Sequence, residues 1–220
     1  MNDQTYFLAN AAHELQTLLS LLCSSIQAIE AAHPEVRCYR YWPELSDCRL
    51  MTKLLRDLTD YSMSDQLTKQ RSDLCNLLRR AYLSCLPLTE GTNKTLTYTS
   101  RVSCAYMPLD SPKMMEALLN LIVNALDAVS DNGSVQIILT KSNEQFVVSI
   151  TDDGCGIAPK QLLTIFHPFT TTKPDGTGLG LPVAKRIIEG HGGHIRVISA
   201  PNQGATFTFL LPCSFSSDRK

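Results

Sequence analysis

The chain has 220 residues, room for one large domain or two small ones, and 44% of them are hydrophobic, enough for a substantial core. Its 20 Lys and Arg nearly balance 21 Asp and Glu, which excludes a protein built to grip nucleic acid or an anionic membrane by bulk charge. The opening MNDQTYFLAN lacks the basic and apolar pattern of a signal peptide, and no stretch approaches the roughly 18 apolar residues of a membrane helix. The expectation is therefore a cytoplasmic chain with no membrane segment.

Residues 5–32 read as one long amphipathic helix. Leu8, Ala12, Leu15, Leu19, Leu22, Ile26 and Ile29 follow one another at spacings of 4, 3, 4, 3, 4 and 3. That is a heptad seam, and it requires a partner helix. Pro34 ends it. A second helix is expected from Glu44 to Gln66, with Met51, Leu54, Leu58 and Tyr61 as its apolar stripe. Two such helices make a hairpin that leaves apolar surface exposed, so two copies are expected to pair as a homodimeric four-helix bundle. The plainer alternative is that the hairpin packs on the domain that follows. On this reading residues 1–68 form the hairpin, 69–213 a second domain and 214–220 a disordered tail.

In the second domain, Asp73 is placed to cap a short helix running to Leu86, which Pro87 and Glu90-Gly91 break. Thr95–Ser103 alternates like a strand. Ser111 to Ser130 reads as a strongly apolar helix, with Ser111 as N-cap and Pro112 in the first turn. Asp131-Asn132-Gly133 is a turn, and Val135–Thr140 and Gln145–Thr151 read as paired strands. Residues 159–180 are rich in Gly, Pro and Thr and read as a long loop. Leu181–Glu189 returns to helix, and His194–Ser199 and Ala205–Leu211 are the last strands. The predicted class is α+β: a helical hairpin, then an α/β sandwich with helices on one face of a mostly antiparallel sheet.

Eight cysteines (Cys23, Cys38, Cys48, Cys75, Cys85, Cys104, Cys155 and Cys213) lie in apolar segments without a CxxC pair. Neither a disulfide framework nor a zinc site is expected from that spacing.

Four blocks carry chemistry. Asn120, Asn124 and Asp127 share one face of an otherwise apolar helix. Polar groups on such a helix are costly unless satisfied, and an Asn carbonyl oxygen suits Mg²⁺. The ordinary reading is a solvent-facing stripe. Asp152-Asp153-Gly154-Cys155-Gly156-Ile157 leaves a strand. Its glycines permit a sharp turn and close ligand approach, and a carboxylate at the strand end accepts a hydrogen bond from an exocyclic amine such as that of adenine. Ile165-Phe166-His167-Pro168-Phe169-Thr170-Thr171-Thr172-Lys173 offers Phe166 and Phe169 as core anchors, with threonines and Lys173 reaching toward phosphates. Gly176-Thr177-Gly178-Leu179-Gly180-Leu181 runs straight into a helix, where freed N–H groups and the helix dipole favour an anion. It is neither a Walker A loop nor a Rossmann fingerprint.

In order and spacing, these blocks resemble the ATPase domain of two-component sensor histidine kinases, within the superfamily that includes gyrase, Hsp90 and MutL. Asn120–Ala128 resembles the N box, Asp152–Ile157 the G1 box, Phe166–Lys173 the F box and Gly176–Leu181 the G2 box. Gly204-Ala205-Thr206 resembles the last glycine box. The resemblance implies ATP and Mg²⁺ as cofactors. It implies that Asp152 reads adenine beside Gly154, Gly156 and Ile157, that Asn124 ligates the metal, and that Asn120 and Lys173 meet the phosphates. Asp127, Gly176, Thr177, Gly178, Leu179, Gly180, Leu181 and Thr206 complete the implied site, and Phe166 to Gly180 resembles the ATP lid.

Such a kinase needs a phosphoacceptor histidine in its first helix, within a motif like His-Glu-Leu/Ile-Arg-Thr/Asn-Pro-Leu. His13-Glu14-Leu15-Gln16-Thr17-Leu18-Leu19 resembles it, with Gln16 in place of the basic residue and Leu18 in place of the proline. The missing proline implies a straighter helix. His13 falls beside the heptad seam, facing solvent, next to a carboxylate able to orient the ring. The resemblance implies autophosphorylation of His13, transfer to an aspartate of a response regulator, and a role for Glu14 and Thr17 in dephosphorylating that partner. Two other readings compete. One is a nucleotide-regulated binding module with a dead acceptor. The other is a different ATPase of the superfamily, which would lack the His-bearing hairpin.

Overall fold

The computed structural model describes residues 67–173 and 176–213. The expected hairpin, with His13, Glu14 and Thr17, and the expected tail lie outside the described residues.

The described chain runs β1 (Gln70–Asp73), α1 (Leu74–Cys85), a 3-10 turn (Leu86–Thr89), β2 (Thr95–Ser100), β3 (Tyr106–Leu109) and α2 (Ser111–Ala128). It continues through β4 (Ser134–Ser142), β5 (Gln145–Asp152), the one-turn α3 (Pro159–Leu162), α4 (Gly180–Gly190), β6 (His194–Ser199) and β7 (Ala205–Pro212). Five strands form one sheet in the order β2-β4-β5-β7-β6, and β1 and β3 form a separate antiparallel pair. Only β2 and β4 run parallel in the large sheet. The expected α/β sandwich, mostly antiparallel, is what the described residues form.

Side-chain alternation explains why one face is covered. Phe146, Val148 and Ile150 of β5 stand opposite Leu211, Phe209 and Phe207 of β7, and all six are buried under the helices. Each such side chain contributes about 1.5–3 kcal/mol by leaving water. The intervening residues point to the other face, where Ser149 meets Thr208 at 3.3 Å and Thr151 meets Thr206 at 3.1 Å. From α2, Met114, Ala117, Leu118, Leu121, Ile122, Ala125 and Leu126 are buried against the sheet. Their opposite face is left to Asn120, Asn124 and Asp127.

Several expectations need correction. The N-cap of α2 is Asp110, not Ser111: its Oδ1 accepts from the Lys113 N–H at 3.1 Å. A carboxylate answers both the free N–H groups and the helix dipole, so it outcompetes the neighbouring hydroxyl. The strand expected over Thr95–Ser103 stops at Ser100, and the loop expected over 159–180 contains α3. Strands β1 and β3 went unforeseen: each is four residues long, and β3 carries Pro108, which weakens a strand signal.

One buried histidine ties distant parts of the chain together. His191, just past α4, accepts from the Asp110 N–H at Nε2 (2.9 Å), and its Nδ1 lies 2.7 Å from the Ile187 carbonyl oxygen. The first bond places the ring proton on Nδ1. Asp110 Oδ2 in turn accepts from the Thr68 N–H at 2.8 Å, which fastens the entry to the domain. Burial pushes the His191 pKa below its ordinary value of 6.5, because a second ring proton would lose solvation and displace the Asp110 bond. The unfolded chain therefore binds the proton first, and stability falls as pH drops below 6.5. Urea-unfolding midpoints should decline between neutrality and mildly acid pH, and His191→Gln should flatten that decline.

Candidate functional site

The polar face of α2 forms one wall of a cleft of about 550 Å³. The loop after β5 supplies Gly156 and Ile157, and the segment before α4 closes the opposite side with Thr170–Lys173, Gly176–Gly178, Gly180 and Leu181. Residues from all four sequence blocks thus converge on one cavity.

The glycines fix how closely these walls approach. A β-carbon at Gly154 would collide with the Ala128 carbonyl at the end of α2, and one at Gly156 with the Ala200 carbonyl. Gly156 also sits at φ 68°, a conformation that favours glycine. These two glycines therefore serve the packing of backbone on backbone, as well as leaving the cleft open. At Gly180 a β-carbon would lie 3.5 Å from Asn120 Oδ1, so the start of α4 stands close to α2.

Lys173 crosses the cleft. Its Nζ donates to Asn124 Oδ1 at 3.0 Å and to Asp127 Oδ2 at 2.9 Å. The pair with Asp127 is roughly half-exposed, so it contributes at most about 1 kcal/mol to the fold. Its chemical meaning is larger. Two hard oxygen donors converge on one cation position, and that donor set fits Mg²⁺, which takes one or two protein oxygens and fills its remaining positions with water and phosphate. Among the described residues no group of three His, Cys, Asp or Glu could hold a metal without such help.

The two aspartates after β5 differ. Asp153 accepts from the Ser134 N–H at 2.8 Å and the Ser134 hydroxyl at 2.7 Å, and these bonds lower its pKa. It fastens the start of β4. Asp152 is buried, and burial raises its pKa against the opposing pull of two bonds to Oδ1, from Gly154 N–H (3.0 Å) and Ala205 N–H (3.2 Å).

Not every expected residue reaches the cavity. Asn120, Asn124, Asp127, Gly156, Ile157, Lys173, Gly176, Thr177, Gly178, Gly180 and Leu181 line it, whereas Asp152, Gly154, Leu179 and Thr206 do not. Asp152 and Gly154 sit directly behind the lining loop. Leu179 is fully buried and anchors the segment in the core. Thr206 points to the sheet face away from the helices, because its neighbours Ala205 and Phe207 point inward. Phe166 packs edge-on against Phe207, as expected of an anchor, but Phe169 does not anchor anything: it is 62% exposed with φ 63°. The backbone of Gly178 takes up the space beside it, since a β-carbon there would lie 2.6 Å from the Phe169 carbonyl carbon. Sequence reasoning missed Val123, Gln161 and Ile165 in the lining. Val123 was within reach, since it shares the face of Asn120 and Asp127 at helical spacing.

Comparison with known proteins agrees with this geometry. The profile of the family described as histidine kinase-, DNA gyrase B-, and HSP90-like ATPase matches residues 109–214. The signal transduction histidine-protein kinase AtoS of Escherichia coli (strain K12) is 32% identical over 93% of this chain, which spans about a third (34%) of AtoS. The solved catalytic domain of histidine kinase ThkA is 29% identical with a TM-score of 0.62, over 67% of this chain and 97% of that one. A structure of ThkA in complex with the response regulator protein TrrA matches 97% of this chain and 63% of the ThkA chain, with a TM-score of 0.70 at 22% identity.

Proposed function

The chain belongs to the sensor histidine kinases of two-component systems; from that premise we propose that its cleft binds Mg²⁺-ATP and that the terminal phosphoryl group passes to His13 and then to a response-regulator aspartate. The observation that carries the proposal is Lys173, whose ammonium meets Asn124 and Asp127 inside the cavity that the glycine segments enclose.

The roles follow from position. Asp152, Gly154, Gly156 and Ile157 hold the base end, with the Asp152 carboxylate behind the loop as acceptor for the adenine amine. Asn124 and Asp127 would supply oxygens to Mg²⁺, which would offer charge neutralisation at the phosphoryl group. Asn120, Lys173 and the cleft-lining residues Gly176, Thr177, Gly178, Gly180 and Leu181 meet the phosphates, assisted by the N-terminal dipole of α4. The His13 imidazole nitrogen attacks the terminal phosphorus, the bond to the ADP oxygen breaks, and ADP leaves. Glu14 orients the ring and takes its proton. Thr206 has no part in this, since its hydroxyl is engaged with Thr151 on the other face.

The proposed organisation keeps residues 1–68 as a hairpin that pairs with a second copy, 69–213 as the ATP-binding domain and 214–220 as a tail. The proposed setting is cytoplasmic; among the described residues no helix is long and apolar enough to cross a membrane.

Incubation with labelled ATP and Mg²⁺ tests the proposal. An acid-labile, base-stable phosphoprotein is expected, and it should lose its label to a cognate response regulator. Nucleotide binding without label would favour the binding module, a reading that the departures at Gln16 and Leu18 keep in play. Thr17→Ala should lower dephosphorylation of the regulator while autophosphorylation survives; equal loss of both would remove the second role of Thr17.

A further inference from the structure

We infer that Ser199, the last residue of β6 and outside the cleft, is a positioning residue that fixes the base end of the nucleotide site; the inference rests on the ATP reading above. Ile157 lines the cleft, and its N–H donates to Ser199 Oγ at 2.8 Å. The same hydroxyl donates to the Gly204 carbonyl oxygen at 2.6 Å. One side chain therefore ties the cleft-lining loop to the turn between β6 and β7.

The surrounding contacts leave that loop few other ways to be held. It has no regular secondary structure between Asp153 and Ala158. Backbone bonds join its middle to the turn: Asn202 N–H to the Cys155 carbonyl at 2.7 Å, and Gly204 N–H to the Gly154 carbonyl at 3.0 Å. At the near end, Asp152 Oδ1 gathers the Gly154 and Ala205 N–H groups. At the far end, Ser199 is the matching clamp. A hydroxyl suits the place because it accepts and donates at once. Alanine would strip partners from one N–H and one carbonyl, both half-buried, and such groups are expensive to leave unmet.

Loss of the clamp lets Ile157 drift, and with it the wall that faces the base. The phosphate end is built from α2, Lys173 and α4, which do not touch Ser199 through any of these bonds. The defect should therefore fall on affinity for every adenine nucleotide, and not on the transfer step.

The test uses the full chain. Ser199→Ala should bind both ADP and ATP roughly tenfold more weakly, the scale of a released pair of hydrogen-bonding groups. In autophosphorylation, KM for ATP should rise by that factor while kcat stays within about twofold. Ser199→Thr, which keeps the hydroxyl on a strand, should restore both. Hydrogen exchange at the Ile157 amide should quicken in Ser199→Ala without any nucleotide. Unchanged ADP affinity in Ser199→Ala, failure of Ser199→Thr to restore it, or a fall in kcat at unchanged KM would overturn the inference. A wild-type chain that binds neither nucleotide would instead overturn the ATP reading and this inference with it.

Discussion

His13→Ala is expected to remove the acid-labile phosphoryl label from the chain while leaving its affinity for ATP unchanged. The reason is that no other histidine can stand in. His191 is buried with both ring nitrogens engaged, one by the Asp110 N–H and one by the Ile187 carbonyl. His194 lies at the edge of the large sheet, and its alternation with Ile195 puts it on the face away from the helices and the cleft. His167 belongs to the segment that carries Lys173, held by its N–H to the Thr164 carbonyl, and has no carboxylate beside it in sequence. His33 sits beside the Pro34 break. Only His13 combines an adjacent glutamate with a place on the helix that the heptad pattern of residues 5–32 predicts. Removal of a nucleophile with no substitute should lower labelling by at least ~10³-fold. Labelled ATP, an alkaline quench and a parallel ADP titration read the two halves of the claim separately. Label persisting in His13→Ala would place the acceptor elsewhere.

Asn124→Ala should also lower labelling sharply, but through the metal. Asn124 presents Oδ1 to the cation position that Lys173 occupies, 3.0 Å away. Its side chain is only half-buried and holds up no part of the core, and the neighbouring Lys173–Asp127 pair is worth at most about 1 kcal/mol. Folding should therefore be nearly unchanged. A metal ion that neutralises a transferring phosphoryl group supplies several kcal/mol, so weakening its hold should slow transfer by about 10²–10³-fold. Raising Mg²⁺ should recover part of the rate, which a folding defect would not permit. Thermal unfolding alongside labelling across a Mg²⁺ series distinguishes the two. Full labelling at low Mg²⁺ would remove Asn124 from the metal site.

Local signals in the sequence predicted much of the cleft lining. The polar stripe Asn120, Asn124 and Asp127 was visible because the rest of that helix is apolar, and the glycine run ahead of α4 was visible because it breaks into a helix. Other features depend on distant neighbours. Asp110 and Ser111 are both good caps in sequence, and only the preference of a helix N-terminus for a carboxylate decides between them. Phe169 reads as a core anchor by composition, yet it is exposed at a positive φ with its backbone packed close against Gly178. Thr206 was assigned to the site by its motif, although strict alternation with Ala205 and Phe207 already sends it to the opposite face. The buried role of His191 is hidden in sequence, because its Asp110 partner lies 81 residues away, although Ile187 is only four residues off. Strands β1 and β3 pair across the whole of α1 and β2, which no short-range pattern reports.

Titration of the full chain with ATP in the presence of Mg²⁺ tests the central claim most directly. Saturable binding of one nucleotide per chain is expected, with amide shifts or exchange protection concentrated at Asn124, Ile157, Lys173 and the Gly176–Leu181 segment. Absence of binding, or protection that leaves those residues untouched, would contradict the account.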